Sequence, residues 1–206
     1  MKTIRSVSFD TSFLLKESSD VDKIIKKLRK DSLDCYVTST VISELEQLKV
    51  WGRIDDKRYG KAMSRWKRVN GKIIRFSNML VSSELRKECV TSMEEHHGVK
   101  PENIINDCNI LIVSLKNGVD LFLSEDFHFT SKVTEDVLRE IKSNACTEYS
   151  LMCEEEMYCV DAKTFLMVYD DGKIDTKAIE ASRKHVKKSG KRIGGESLPM
   201  GHEDWD

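Results

Sequence analysis

Four acidic residues stand where acids are uncommon: Asp10 and Asp126 at the ends of apolar strand-like runs, Glu44 and Asp107 within apolar helix stripes. Asp10 closes Ile4-Arg5-Ser6-Val7-Ser8-Phe9 and Asp126 follows Leu121-Phe122-Leu123-Ser124, which places both carboxylates at strand C-termini, the ligand side of an open α/β sheet. Glu44 comes three residues after Val41 and four before Leu48, while Asp107 comes three after Ile104 and four before Leu111. Each therefore points with the apolar stripe of its helix rather than away from it. Taking an isolated carboxylate out of water is very costly, so four of them converging on one pocket demand cations. Hard divalent ions such as Mg²⁺ and Mn²⁺ prefer these oxygen ligands. Such an ion lowers the pKa of a bound water and offsets negative charge growing on a phosphodiester, which is hydrolytic chemistry. Without metal, mutual repulsion is expected to raise the pKa of at least one of the four acids.

The elements that must position these acids follow from the hydrophobic period, which switches repeatedly between strand-like and helix-like and so favours βα units and a mainly parallel sheet. Residues 21–30 are predicted to be an amphipathic helix with Ile24, Ile25 and Leu28 facing inward, followed by a short strand at Cys35-Tyr36-Val37. Ser39 or Thr40 is expected to cap the helix carrying Glu44, which runs to about Val50. A second helix, residues 55–69, leads through the turn pair Asn70-Gly71 to a strand at residues 73–76. Ser82 or Ser83 is expected to open another helix ending near Gly98, and Pro101 to start the long apolar helix holding Asp107, which stops at Gly118. Residues 130–144 read as helix, 146–157 as an acidic connection, 158–160 as the last strand, and 162–169 as a short helix capped by Asp161. Residues 171–206 read as a charged appendage with a turn or two of helix around 175–188.

The chain's 206 residues suffice for one substantial core, and 33% charged with 39% hydrophobic residues is an ordinary globular composition. No apolar run of about 18 residues occurs, and no signal-peptide core follows Lys2 and Arg5, so a cytoplasmic protein without a membrane partner is expected. The six cysteines form no C-x-x-C pair, so reduced thiols are expected, with Cys108 acting as a small hydrophobe; zinc at Cys146, Cys153 and Cys159 is not expected. The net charge of −1 creates no global attraction for a polyanion, so affinity for nucleic acid must come from local patches.

In order and context, Phe9-Asp10-Thr11-Ser12, Ser43-Glu44-Leu45, Asn106-Asp107 and Ser124-Glu125-Asp126-Phe127-His128-Phe129 resemble the PIN-domain family of metal-dependent ribonucleases over about residues 4–169. The resemblance implies a three-layer α/β/α fold with a mainly parallel central sheet and an endoribonuclease that cuts RNA by metal-activated water. It implies that Asp10, Glu44, Asp107 and Asp126 hold one or two Mg²⁺ or Mn²⁺ ions, Asp10 and Asp107 directly, Glu44 and Asp126 directly or through water. Thr11 or Ser12 is expected to position water or a phosphate, with Ser124 as a further supporting residue. The family also suggests RNA as substrate, a homodimer, and an antitoxin-like or RNA-processing protein partner; a single strand is expected from the basic residues of the 55–69 helix. Length favours RNA processing or decay over a toxin role.

Plainer roles compete at each position. Asp10 is also a natural helix cap, Asp107 could pair with an arginine, Glu125 rivals Asp126, and a lone histidine such as His128 is more often exposed or structural than a ligand. A non-catalytic binding module of the same fold, a structure-specific DNA nuclease and a phosphatase with Asp10 as nucleophile are the other functional classes; Ser12 stands where the phosphatase needs a second Asp. For the substrate strand, Arg58, Lys61, Arg65 and Arg68 follow 3, 4, 3 spacing and predict one basic helix stripe beside Tyr59, Ala62, Trp66 and Val69. Such a cation row suits a phosphate backbone, and Trp66 is assigned to the core. Arg183, Lys184, Lys187, Lys188, Lys191 and Arg192 form a second basic cluster before acidic Glu203, Asp204 and Asp206; solvation is its default role.

Overall fold

The switches of hydrophobic period become alternating strands and helices in the computed structural model, which describes residues 1–76, 79–98, 100–154 and 156–189. The first half comprises β1 (Lys2–Thr3), β2 (Ser6–Phe9), α1 (Thr11–Leu15), α2 (Ser19–Lys30), β3 (Asp34–Thr38), α3 (Ser39–Val50), α4 (Asp56–Arg68) and β4 (Lys72–Ile74). The second comprises α5 (Met79–His97), α6 (Pro101–Lys116), β5 (Leu121–Leu123), α7 (Phe127–Thr130), α8 (Lys132–Tyr149) and β6 (Tyr158–Val160). The last elements are α9 (Ala162–Val168), β7 (Tyr169–Asp170), β8 (Lys173–Ile174) and α10 (Thr176–Ser189).

The main sheet has the order β4-β3-β2-β5-β6 and every pairing in it is parallel, so the chain is an α/β protein. Its central strands β2 and β5 are buried at every residue, as parallel strands covered on both faces must be. From β2 the chain steps outward to β3 and β4, then returns across the sheet to β5 and β6. Right-handed crossovers send helices of the two directions to opposite faces. Accordingly α4 packs with α1, α2 and α3, while α5 packs with α6 and α8, an arrangement compatible with three α/β/α layers. The winding direction reverses between β2 and β5, whose register pairs Phe9 with Leu123. In such sheets ligands bind in the crevice beyond the strand C-termini at this reversal.

Several local expectations shift. Thr38, not Ser39 or Thr40, caps α3, its hydroxyl accepting from Val41 N at 3.3 Å. Ser82 and Ser83 lie inside α5, which begins at Met79, and α8 runs on to Tyr149. Residues 171–189 are joined to the body: β8 pairs antiparallel with β1, and Ile174 and Ile179 are fully buried. Lys191, Arg192 and the acidic end at 203–206 lie outside the described residues.

The expectation of reduced thiols is corrected for four of the six cysteines. Cys89 of α5 is bonded to Cys108 of α6, and Cys146 to Cys153, while Cys35 and Cys159 are free and buried. Packing of α5 on α6 brings the first pair together across nineteen residues, which no local spacing rule could show. No helix among the described residues is long and apolar enough to cross a membrane.

Candidate metal centre

Asp10 emerges from β2 at the winding reversal, held there by its backbone N–H donating to Leu123 O at 2.9 Å. It caps α1 as well, accepting from Ser12 N at 3.1 Å, so the plainer role of helix cap is filled by this residue. The same oxygen accepts from the hydroxyls of Ser12 and, at 3.0 Å, Ser124. Those two hydroxyls in turn accept from Glu125 N and Asp126 N, each at 3.0 Å, which ties the segment after β5 to Asp10. Thr11 donates its hydroxyl to Glu44 Oε2 at 2.5 Å. These three hydroxyls lie against carboxylates, and the Ser12 and Ser124 hydroxyls also lie 3.2 Å from each other.

The four acids come from β2, α3, α6 and the start of α7, and the fold brings their charges within reach of one another. Burial pushes the Glu44 carboxyl up to about 7, helped by the Asp10 charge and opposed by hydrogen bonds from Thr11 and Asn106. Asp107 is held well above the usual carboxylate range, by loss of surrounding water first and then by the charges of Asp10, Asp126 and Glu44. Asp10 is also raised by burial, against the hydrogen bonds from Ser12 and Ser124. No lysine or arginine pairs with Asp10, Glu44 or Asp107 among the described residues, so an arginine partner for Asp107 drops out. Like charges gathered without a protein counter-ion form the donor set a hard cation would fit.

Glu125 is turned to other work: it pairs with Lys16 at 2.7 Å and accepts from Ala162 N at 3.0 Å. Asp126 is the acid of this segment whose charge reaches Asp107. Asp126 caps α7 by accepting from His128 N at 2.8 Å, and its Oδ1 lies 3.1 Å from His128 Nδ1. Ligand atoms of Asp107, Asp126 and His128 all lie within 4.8 Å of one another, a spacing able to hold one metal ion. His128 is half-buried beside Asp126, and the sequence signal for its proximity was its position two residues beyond that acid. The hydrogen bond to Asp126 raises the imidazole pKa, while burial opposes this.

The predicted basic stripe on α4 is broken at Arg65, which is fully buried. Its guanidinium donates to Leu14 O at 2.8 Å and Lys16 O at 2.6 Å, closing the C-terminus of α1, and pairs with Asp22 at 3.2 Å. Arg68 reaches the same Asp22 at 3.2 Å. Arg58 and Lys61 stay exposed. In the second basic cluster Arg183 is also occupied, pairing with Glu135 and donating to Cys159 O at 2.7 Å.

No family model and no curated protein matches the chain.

Proposed function

We propose that this chain is a metal-dependent endoribonuclease of PIN-like fold, hydrolysing phosphodiester bonds of single-stranded RNA with Mg²⁺ or Mn²⁺. The observation that carries the reading is the meeting of Asp10, Glu44, Asp107 and Asp126 at the β2/β5 reversal, with the first three lacking any paired lysine or arginine among the described residues. Asp107 and Asp126, with His128 beside Asp126, would hold the ion, while Asp10 and Glu44, whose charges reach Asp107 but which lie outside that three-residue group, would add to the field around it. When bound, a divalent cation acidifies water and offsets charge developing on the scissile phosphate.

The chain's own part is preorganisation. Ser12 and Ser124 hold Asp10 in one orientation, Thr11 holds Glu44, and the α7 cap holds Asp126, so the acids are arranged before any ion or substrate arrives. The net reaction adds water across one P–O bond and leaves a phosphate on one fragment and a hydroxyl on the other.

The test is a panel of unstructured RNA, structured RNA and single-stranded DNA, incubated with Mg²⁺, Mn²⁺ or EDTA, comparing wild type with Asp10→Asn. Cleavage of unstructured RNA that needs metal and disappears in the variant supports the reading. Intact RNA throughout, or preferential DNA cleavage, overturns it.

A further inference from the structure

One large aromatic side chain is left in water at the far end of the helix that carries Glu44. Trp51, the C-terminal cap of α3, is 59% exposed, and its N–H still donates to Gln47 O at 2.9 Å, so it continues the helical path. Glu44, Leu48 and Trp51 follow 4, 3 spacing and share one helix face, with Trp51 about 10 Å farther along the axis. The indole and the metal-centre acid are two stations on one stripe.

Charge around Trp51 is positive: residues 49–58 carry Lys49, Arg53, Lys57 and Arg58 against Asp55 and Asp56. Asp55 caps α4 through Arg58 N at 2.7 Å, and Asp56 pairs with Lys49 at 2.9 Å. Arg53, Lys57 and Arg58 are exposed, and none of them forms an ion pair among the described residues. Glu46 is exposed too, but two residues from Glu44 it lies on the opposite side of α3. An excess of exposed cations in the segment that follows an exposed indole suits a strand with charged phosphates and stackable bases.

We propose that Trp51 is a stacking platform for an unpaired base of the RNA strand, with Arg53, Lys57 and Arg58 receiving its phosphates, so that the strand is led along α3 toward Glu44. The inference takes the identity of the strand from the nuclease reading, yet the binding it describes needs neither metal nor cleavage.

Its test is therefore run in EDTA on the full chain, by fluorescence anisotropy with a fluorescein-labelled oligouridylate. Trp51→Ala is expected to weaken binding about 5- to 150-fold, the range for loss of one base–aromatic stack, while Trp51→Phe retains most of the affinity. Lys57→Ala and Arg58→Ala should each reduce the salt dependence of binding, whereas Trp51→Ala leaves that dependence in place. Equal affinity of wild type and Trp51→Ala, with both folded by circular dichroism, overturns the proposal. A wild-type dimer that Trp51→Ala converts to monomer with unchanged RNA affinity also overturns it, and assigns the face to contact between copies of this chain. Trp51-dependent binding of RNA that is never cut with Mg²⁺ or Mn²⁺ present sustains the platform and removes the nuclease reading instead.

Discussion

Glu44→Gln separates the electrostatic cost of the centre from its packing. The amide keeps an oxygen to accept from Thr11 and fills the same space, but it carries no charge to be buried beside Asp10 and Asp107. In the metal-free fold Glu44 is pushed from an ordinary 4.5 to about 7. At about 1.4 kcal/mol for each tenfold change in proton affinity, this amounts to roughly 3 kcal/mol against the ionised folded state. Because the folded pKa is raised, the folded protein binds more protons than the unfolded chain between about pH 4.5 and 7, and stability falls as pH rises through that window. Below it both states are protonated and the penalty vanishes; by about pH 8 it is complete. Urea denaturation in EDTA at pH 5, 6, 7 and 8 is the assay. The variant is expected to gain about 2.5 kcal/mol over wild type between pH 5 and 8, and Mn²⁺ should remove most of that gain by restoring the wild type. The gain belongs to the coupled cluster, since the charge on Glu44 also raises Asp107. Wild-type and Glu44→Gln stabilities that run parallel across this range would mean that Glu44 is not buried at an electrostatic cost.

Arg65→Ala removes the buried guanidinium that closes α1 and pairs with Asp22, and a loss of about 3 kcal/mol in urea denaturation is expected; a change near zero would mean that Leu14 O and Lys16 O find other donors. Gly71→Ala would set a Cβ 1.9 Å from Trp66 Cδ1 and 2.0 Å from its Nε1, so the indole must shift at a cost of about 1–3 kcal/mol, seen as a lowered urea midpoint and altered near-ultraviolet dichroism. Titration of thiols in denaturant without reductant should find only Cys35 and Cys159, and Cys89→Ala should cost about 3 kcal/mol through loss of a cross-link spanning nineteen residues. Six reactive thiols before reduction would contradict the pairing.

The parallel α/β class and the electrostatic proximity of Glu44 and Asp107 were legible because both rest on period. Glu44 and Asp107 lie in register with the apolar residues of their helices, and a charge in that register must be accommodated within the fold. The same rule, applied to α4, picks out Arg65: it lies three residues after Ala62 and four before Val69, on the buried stripe. Grouping it with Arg58, Lys61 and Arg68 by charge hid that position, and only the contact with the end of α1 shows what satisfies the guanidinium. The cap of α3 was ambiguous for a different reason. Thr38, Ser39 and Thr40 all carry hydroxyls, and the choice is made by the pairing of Thr38 with Ile74, which sets where β3 ends. The Cys89–Cys108 bond and the closing of α1 by Arg65 depend on distant segments meeting, so neither leaves a local pattern. For residues 171–189 the lysines dominated the composition, while two isoleucines, Ile174 and Ile179, carry the attachment to the core.

Whether the carboxylates bind a divalent cation is measured without a substrate by Mn²⁺ titration of the metal-free protein followed by electron paramagnetic resonance. Wild type should withdraw the free-ion signal in a saturable manner, and Asp107→Asn, with the same circular dichroism and equal or greater metal-free stability, should lose most of that binding. Saturable binding of equal strength in wild type and Asp107→Asn, or none in either, would contradict the account.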